Sequence, residues 1–222
     1  MRGAGAERIH TAMEIHALPS GPLCTNAYLL LDPARQEAVL VDAPMDVWSD
    51  VQTLLQRKGC RLTALLITHG HFDHTEDAAL VQRSGVPLFA HEADREFIEN
   101  PKVMEFFAPP MYRLESARID RVVKQGDVLE LLGDTVEVRH VPGHCPGSVL
   151  FHFRKAGVAF AGDAIFAGGI GRTDFPRGGF DMLANSIRTQ IYTLPDETVL
   201  YPGHGPETDV ATEKESNPYV RP

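Results

Sequence analysis

The residues best able to do chemistry are gathered in Thr68-His69-Gly70-His71-Phe72-Asp73-His74, where three imidazoles and a carboxylate fall between positions 69 and 74. Histidines cluster by chance, and a lone one is usually packed or solvated, so a single His-x-His pair would say little. The full H-x-H-x-D-H string says more, because four such side chains crowded together are costly unless a cation compensates them. Nitrogen and carboxylate oxygen are the ligand set of zinc, iron or manganese. In extended backbone, residues two apart point the same way. His69 and His71 can therefore share one ion, while the loop turns Asp73 and His74 toward a second position.

Three later strand ends each deliver a ligand type into a glycine-bearing loop: Pro142-Gly143-His144, Ala161-Gly162-Asp163 and Pro202-Gly203-His204. Taken singly, each is an ordinary turn sequence. Following the histidine string, they complete two groups. His69, His71 and His144 would hold one ion, Asp73, His74 and His204 the other, and Asp163 could offer one oxygen to each. A single ion would leave several of these ligands buried without a partner, so two divalent ions are expected, zinc first, with iron or manganese as alternatives. Such a pair lowers the pKa of a shared water toward neutrality and polarises an acyl oxygen, which provides a hydroxide nucleophile without a separate general base. Asp42 ends an apolar strand and reads either as a turn residue or as a carboxylate behind the ligands. His152, mid-strand among phenylalanines, reads as structural, and His10, His16, His91 and His140 have no supporting pattern.

Strands and helices must alternate to hold these side chains. The apolar run Leu62–Ile67 reads as a buried strand and Glu76–Ser84 as a helix, so the string sits on a strand-to-helix loop. Upstream, a weak strand is expected over Thr11–Leu18, better ones over Asn26–Leu31 and Ala38–Val41 with turn chemistry at Asp32-Pro33-Ala34-Arg35, and a helix over Asp46–Lys58 capped by Asp46 and stopped at Gly59. Downstream come a strand Pro87–Ala90, a helix His91–Glu99, strands within Val122–Val141, strands Val149–Phe153 and Val158–Phe160, an amphipathic stretch Asp181–Tyr192 and a final strand Thr198–Tyr201. The aperiodic stretch Lys102–Ile119 is expected to be a packed connector rather than the wall of a substrate pocket. The first half has βα character and the second is richer in sheet, an α/β (α+β) fold in one domain over residues 1–222.

A length of 222 residues with 43% hydrophobic content suits one soluble core. The formal net charge of -9, with no run of lysine or arginine, argues against a nucleic-acid partner. No run reaches membrane-spanning length and residues 1–16 contain no apolar leader, so no membrane partner is expected. Three cysteines, Cys24, Cys60 and Cys145, at irregular spacing fit a reducing compartment, which makes the cytoplasm the expected location.

The order HxHxDH, then His, then Asp, then His resembles the metallo-β-lactamase superfamily over essentially the whole chain. Within it, Thr68–His74, Gly143-His144-Cys145-Pro146-Gly147-Ser148, Gly162-Asp163, Gly169-Ile170-Gly171-Arg172-Thr173-Asp174-Phe175-Pro176 and Tyr201-Pro202-Gly203-His204-Gly205 are similar to the glyoxalase II group. The resemblance implies a four-layer αββα sandwich with metals at one edge of the two sheets, and the same ligands. Two-domain glyoxalase II carries a C-terminal helical domain that helps hold the glutathione moiety of S-D-lactoylglutathione. Only residues 205–222 follow His204, so that domain is not expected, and the short single-domain bacterial type II glyoxalase-like hydrolases are the better match.

The activity implied is hydrolysis of a small-molecule thioester. A bridging hydroxide attacks the carbonyl carbon, one metal steadies the oxyanion and the other the departing thiolate, with Asp73 orienting the nucleophile and Asp163 bridging. The alternative is persulfide dioxygenase, which also resembles the chain at THxHxDH and Gly171–Phe175 and uses one iron at the positions of His69, His144 and Asp163. Ile170 and Pro176 stand where that family has cysteine and glutamine, which favours the hydrolase. Arg172 reads as a loop charge paired with Asp174 or as an anchor for a carboxylate on the thiol part of the substrate. Cys145 is expected to pack behind the ligands, and a second copy of the chain as partner is left open.

Overall fold

In the computed structural model, which describes residues 13–222, strand β2 (Thr25–Asp32) is buried on both faces. Successive side chains alternate across a strand. Leu29 and Leu31 therefore enter one core with Val47 and Val51 around helix α1 (Trp48–Lys58), while Tyr28 and Leu30 enter a second core shared with Val136, Phe151 and Phe160. This puts β2 between layers. It belongs to a six-stranded sheet in the order β1 (Glu14–Ser20), β2, β3 (Glu37–Val41), β4 (Arg61–Leu66), β5 (Leu88–His91) and β6 (Arg121–Val123). The turn after Asp32 closes an antiparallel hairpin, whereas β3 to β6 run parallel and need crossovers. Helix α1 makes the first crossover, and α2 (Phe72–Thr75) with α3 (Ala78–Gln82) makes the second.

After α4 (Arg95–Glu99) and the long segment that follows it, the chain builds a second sheet from β7 (Val128–Leu131), β8 (Asp134–His140), β9 (Val149–Phe153) and β10 (Val158–Gly162). A two-stranded ribbon, β11 (Ile165–Phe166) and β12 (Gly169–Ile170), leads to α5 (Phe180–Ser186), which continues as one π turn over Ile187–Ile191. Strands β13 (Val199–Pro202) and β14 (Thr208–Asp209) complete the sheet in the order β14-β13-β10-β9-β8-β7, and α6 (Val210–Ser216) follows. Leu150 and Ala159 on the outer face of this sheet pack under Leu183, Ala184 and Ile187. The layers run helix, sheet, sheet, helix, the αββα sandwich expected.

Several boundaries differ from the sequence reading. The first strand starts at Glu14, and Thr11, Ala12 and His10 lie outside the described residues. Helix α1 begins at Trp48, because Asp46 sits at φ 65 and cannot cap; the Trp48 N–H is taken instead by Asp77 Oδ2 at 3.0 Å. The helix expected from Glu76 begins earlier, at Phe72, and breaks between Thr75 and Ala78. Thr198–Tyr201 is not the last strand, since β14 and α6 follow it. Among the described residues, no helix is long and apolar enough to cross a membrane.

Candidate metal centre

Strands β4, β8, β10 and β13 all end at one edge of the sandwich, and the loop after each carries expected ligands: His69 and His71, His144, Asp163, and His204. Asp73 and His74 are turned inward by helix rather than by loop. His71 is still extended (φ -69, ψ 148), and its carbonyl accepts the His74 N–H at 3.0 Å and the Thr75 hydroxyl at 3.1 Å, so the first turn of α2 swings both side chains under the string.

The structure brings the seven side chains into three overlapping groups: His69, His71 and His144; His69, His74 and Asp163; Asp73, His74 and His204. Within each, the ligand atoms lie within 4.8 Å of one another. Asp163 lies between the groups, with Oδ1 3.3 Å from His74 Nε2 and Oδ2 3.5 Å from His144 Nε2 and 3.6 Å from His204 Nε2. Asp73 Oδ2 is 3.3 Å from His204 Nε2 and accepts the Thr25 hydroxyl at 2.9 Å.

Outer partners fix which nitrogen of each ring faces inward. His74 Nδ1–H donates to Asp42 Oδ2 at 2.8 Å, His144 Nδ1–H to the Arg172 carbonyl at 2.8 Å and His204 Nδ1–H to the Leu23 carbonyl at 3.2 Å. Each Nε2 is thereby left for the centre. His74 Nε2, His144 Nε2 and Asp163 Oδ1 are buried and have no hydrogen-bond partner. Buried polar atoms rarely stay unpaired. A nitrogen and oxygen donor set whose lone pairs converge in this way fits divalent first-row ions.

Two carboxylates behind the expected ligands position the loops that carry them. Asp42, held at φ 58, accepts the Thr68 N–H at 2.8 Å and hydroxyl at 2.7 Å as well as His74, so it lies behind the expected ligands and is not merely a turn residue. Asp94 was not singled out from sequence. Fully buried, it accepts the Gly70 N–H at 2.8 Å, the Gly147 N–H at 2.6 Å and the Cys145 thiol at 3.1 Å, and so joins the His69–His71 loop to the His144 loop. The available signal was an acid three and four residues before Phe97 and Ile98, hence on the apolar face of its helix.

Electrostatics divides the centre. Burial drives His69 well below the ordinary imidazole value, with His74, His71 and His144 acting in the same direction, and burial with His144 takes His71 down to about 3. Burial also works against a charged His74, but Asp73, Asp163 and Asp42 outweigh it and hold this ring well above its usual value. His204 is raised in the same way, burial being overcome by Asp73 and Asp163. Burial would raise Asp73 and Asp163, yet the neighbouring imidazoles, His74 foremost, keep both below the usual carboxylate range.

A cavity of 500 Å³ opens over the centre, floored by His71, Asp73, His144, Asp163 and His204. Phe107 and Pro109 line it, so the segment expected to be a connector is partly pocket wall. Met104 and Tyr112 of the same segment pack with Phe72, Phe97 and Cys145. Cys145 is buried there as expected, and burial beside Asp94 pushes its thiol up. Arg172 stands at the rim, paired through Nε and Nη2 with Asp174 at 3.0 and 2.9 Å and stacked 4.4 Å over Phe175. His152 lies 3.8 Å from Glu137, away from the centre, and His91 stacks on His140.

A family profile described as the metallo-beta-lactamase superfamily matches residues 20–204. Hydroxyacylglutathione hydrolase GloC of Haemophilus influenzae is 37% identical over 215 residues, covering 94% of this chain and 98% of that protein. Among solved structures, BLEG-1 B3 metallo-beta-lactamase superposes with a TM-score of 0.85 at 33% identity, over 93% of this chain and 99% of that one. TTHA1623 in a di-iron-bound form gives 0.79 at 31% identity, over 92% and 100%.

Proposed function

The chain belongs to the metallo-beta-lactamase superfamily, and from that premise we propose that it is a metal-dependent thioester hydrolase of the hydroxyacylglutathione hydrolase type. The observation that carries this reading is the carboxylate of Asp163, which faces His74 with one oxygen and His144 and His204 with the other, beside orphaned buried Nε2 and Oδ1 atoms. His69, His71 and His144 would hold one cation, Asp73, His74 and His204 a second, with Asp163 common to both; zinc suits the donor set and iron is the alternative. When bound, such ions supply Lewis acidity toward an acyl oxygen and acidify water.

The chain's own residues do the rest. Asp73, kept ionised by the imidazoles and fixed by the Thr25 hydroxyl, orients the attacking water by accepting a hydrogen bond from it at the cavity floor. His71 and His144 line the cavity floor on which the thioester would rest. A thiolate leaves without protonation, and among the described residues lining the cavity none outside the ligand set is a general acid near neutral pH. Arg172 takes a substrate carboxylate at the rim in exchange with Asp174. Its three free cysteines suit a reducing compartment, and this reading places the enzyme in the cytoplasm.

Purified protein assayed for metal content, for S-lactoylglutathione hydrolysis and for oxygen uptake with glutathione persulfide tests the proposal. Two ions per chain and hydrolysis without oxygen use are expected, and Asp163→Ala should abolish turnover. One iron with persulfide-dependent oxygen uptake would replace the hydrolase by a dioxygenase, and β-lactam hydrolysis without thioester hydrolysis would replace its substrate class.

A further inference from the structure

The walls of the cavity differ in chemistry from its floor. Above the imidazoles and carboxylates stand Leu23, Phe107, Pro109, Phe166, Ile170 and Phe175, and Arg172 is the one cation among the described lining residues. That guanidinium is already paired with Asp174 and sits 4.4 Å over the Phe175 ring. A glutathione thioester brings two carboxylates and an ammonium to this mouth. Above the metal floor, at most one carboxylate finds a cationic side chain, and the other polar ends gain nothing from aromatic and aliphatic walls. Apolar surface does gain there, in proportion to the area removed from water. Phe107 and Leu23 are themselves partly exposed, at 37% and 44%, so a bound group would cover apolar surface the chain leaves open.

We infer that the part of the substrate carried beside the thioester is apolar, an aliphatic or aromatic group with no more than one carboxylate, and that Phe107 is the residue selecting it. Phe107 comes from the aperiodic segment before β6, meets Phe175 at 5.5 Å between ring centroids, and lines the cavity together with Phe166 and Ile170 of the β11–β12 ribbon. The inference rests on the thioester-hydrolase reading for its turnover readout and replaces glutathione by an apolar thiol as the preferred part of the substrate.

The test compares the zinc-loaded protein on the lactoyl thioester of benzyl mercaptan and on S-lactoylglutathione, and separately measures binding of two thioethers that cannot turn over, benzyl methyl sulfide and S-methylglutathione. The benzyl thioester should have the higher kcat/KM by about tenfold or more, the benzyl thioether should bind more tightly, and Phe107→Ala should shrink the ratio of the two kcat/KM values by roughly tenfold. A general loss of packing in Phe107→Ala lowers both values together, and an unchanged ratio overturns the role of Phe107. Tighter binding of S-methylglutathione overturns the apolar assignment whatever the turnover. Preferred binding of the benzyl thioether with neither ester hydrolysed upholds the apolar wall and removes the hydrolase reading instead.

Discussion

His71 and His74 stand three positions apart and titrate in opposite directions, which separates the two halves of the centre by their protons. In metal-free protein at neutral pH, His71, lowered to about 3 by burial, is neutral, and His69 is lowered with it. His74, held well above its ordinary value by Asp73, Asp163 and Asp42 against its burial, keeps a proton that a cation must expel, and His204 is shifted in the same direction. Uptake at the Asp73–His74–His204 group should therefore tighten as pH rises and release more protons per ion than uptake by His69 and His71. Zinc titrations by calorimetry in buffers of different ionisation enthalpy count those protons, and equal release at both steps contradicts the division. Asp94 sets a second test at this scale. In Asp94→Asn a single carbonyl oxygen faces three donors, the Gly70 and Gly147 amides and the Cys145 thiol, so at least one buried donor meets an NH2 group at a cost of about 1–3 kcal/mol. The melting temperature of metal-free protein should fall by several degrees, at about 2–4 °C per kcal/mol for a chain of this size. Zinc affinity should fall with it, because the carboxylate spaces the His69–His71 and His144 loops. A lower melting point with unchanged affinity would reduce Asp94 to packing.

Loops and helices hold the ligands only where neighbouring elements leave room. Gly143, at φ 131, runs so close to α5 that a Cβ there would overlap the Leu183 backbone. Gly143→Ala should push α5 from the His144 loop, lower the melting temperature by roughly 5 °C or more and weaken zinc binding together, as a positive-φ alanine adds strain to the clash. A melt within about 1 °C of the parent would show the loop can yield. This proximity also marks where sequence reasoning stops. The convergence of the seven side chains was legible because His69, His71, His144, Asp163 and His204 each follow a strand end and Asp73 and His74 open the next helix, a local pattern. Helix α1 was placed two residues early because its real cap, Asp77, lies 29 positions along the chain. Helix α6 went unseen because buried Glu213, which accepts from the Gly168 N–H, the Thr208 hydroxyl and the Asn217 amide, anchors it where an apolar period normally would. Phe107 and Tyr112 share one aperiodic segment, and only tertiary packing sends the first to the cavity and the second to a core.

Across the whole molecule, the first sheet and the helix after β4 supply His69, His71, Asp73 and His74, and the second sheet supplies His144, Asp163 and His204. The sheets also meet at this edge through backbone and side-chain bonds: the Asn26 amide donates to the Pro202 and Gly205 carbonyls at 3.1 and 2.9 Å, and the Tyr28 hydroxyl to Pro202 at 2.7 Å. Cations held by both groups would therefore cross-link the halves of the sandwich and stabilise the native state by mass action, by about 4 kcal/mol at a free concentration about 1,000 times Kd. Chelation should lower the melting temperature by roughly 10 °C at the scaling of a chain this long. Hydrogen exchange gives the sharper outcome, since a cation shared across the sheets slows local opening on both sides at once. Zinc should add protection to the Thr68–Thr75 amides and to those after β8 and β13 together, and Asp163→Ala should uncouple them. Protection gained on one sheet alone would place the ions within a single half and leave Asp163 without its shared role.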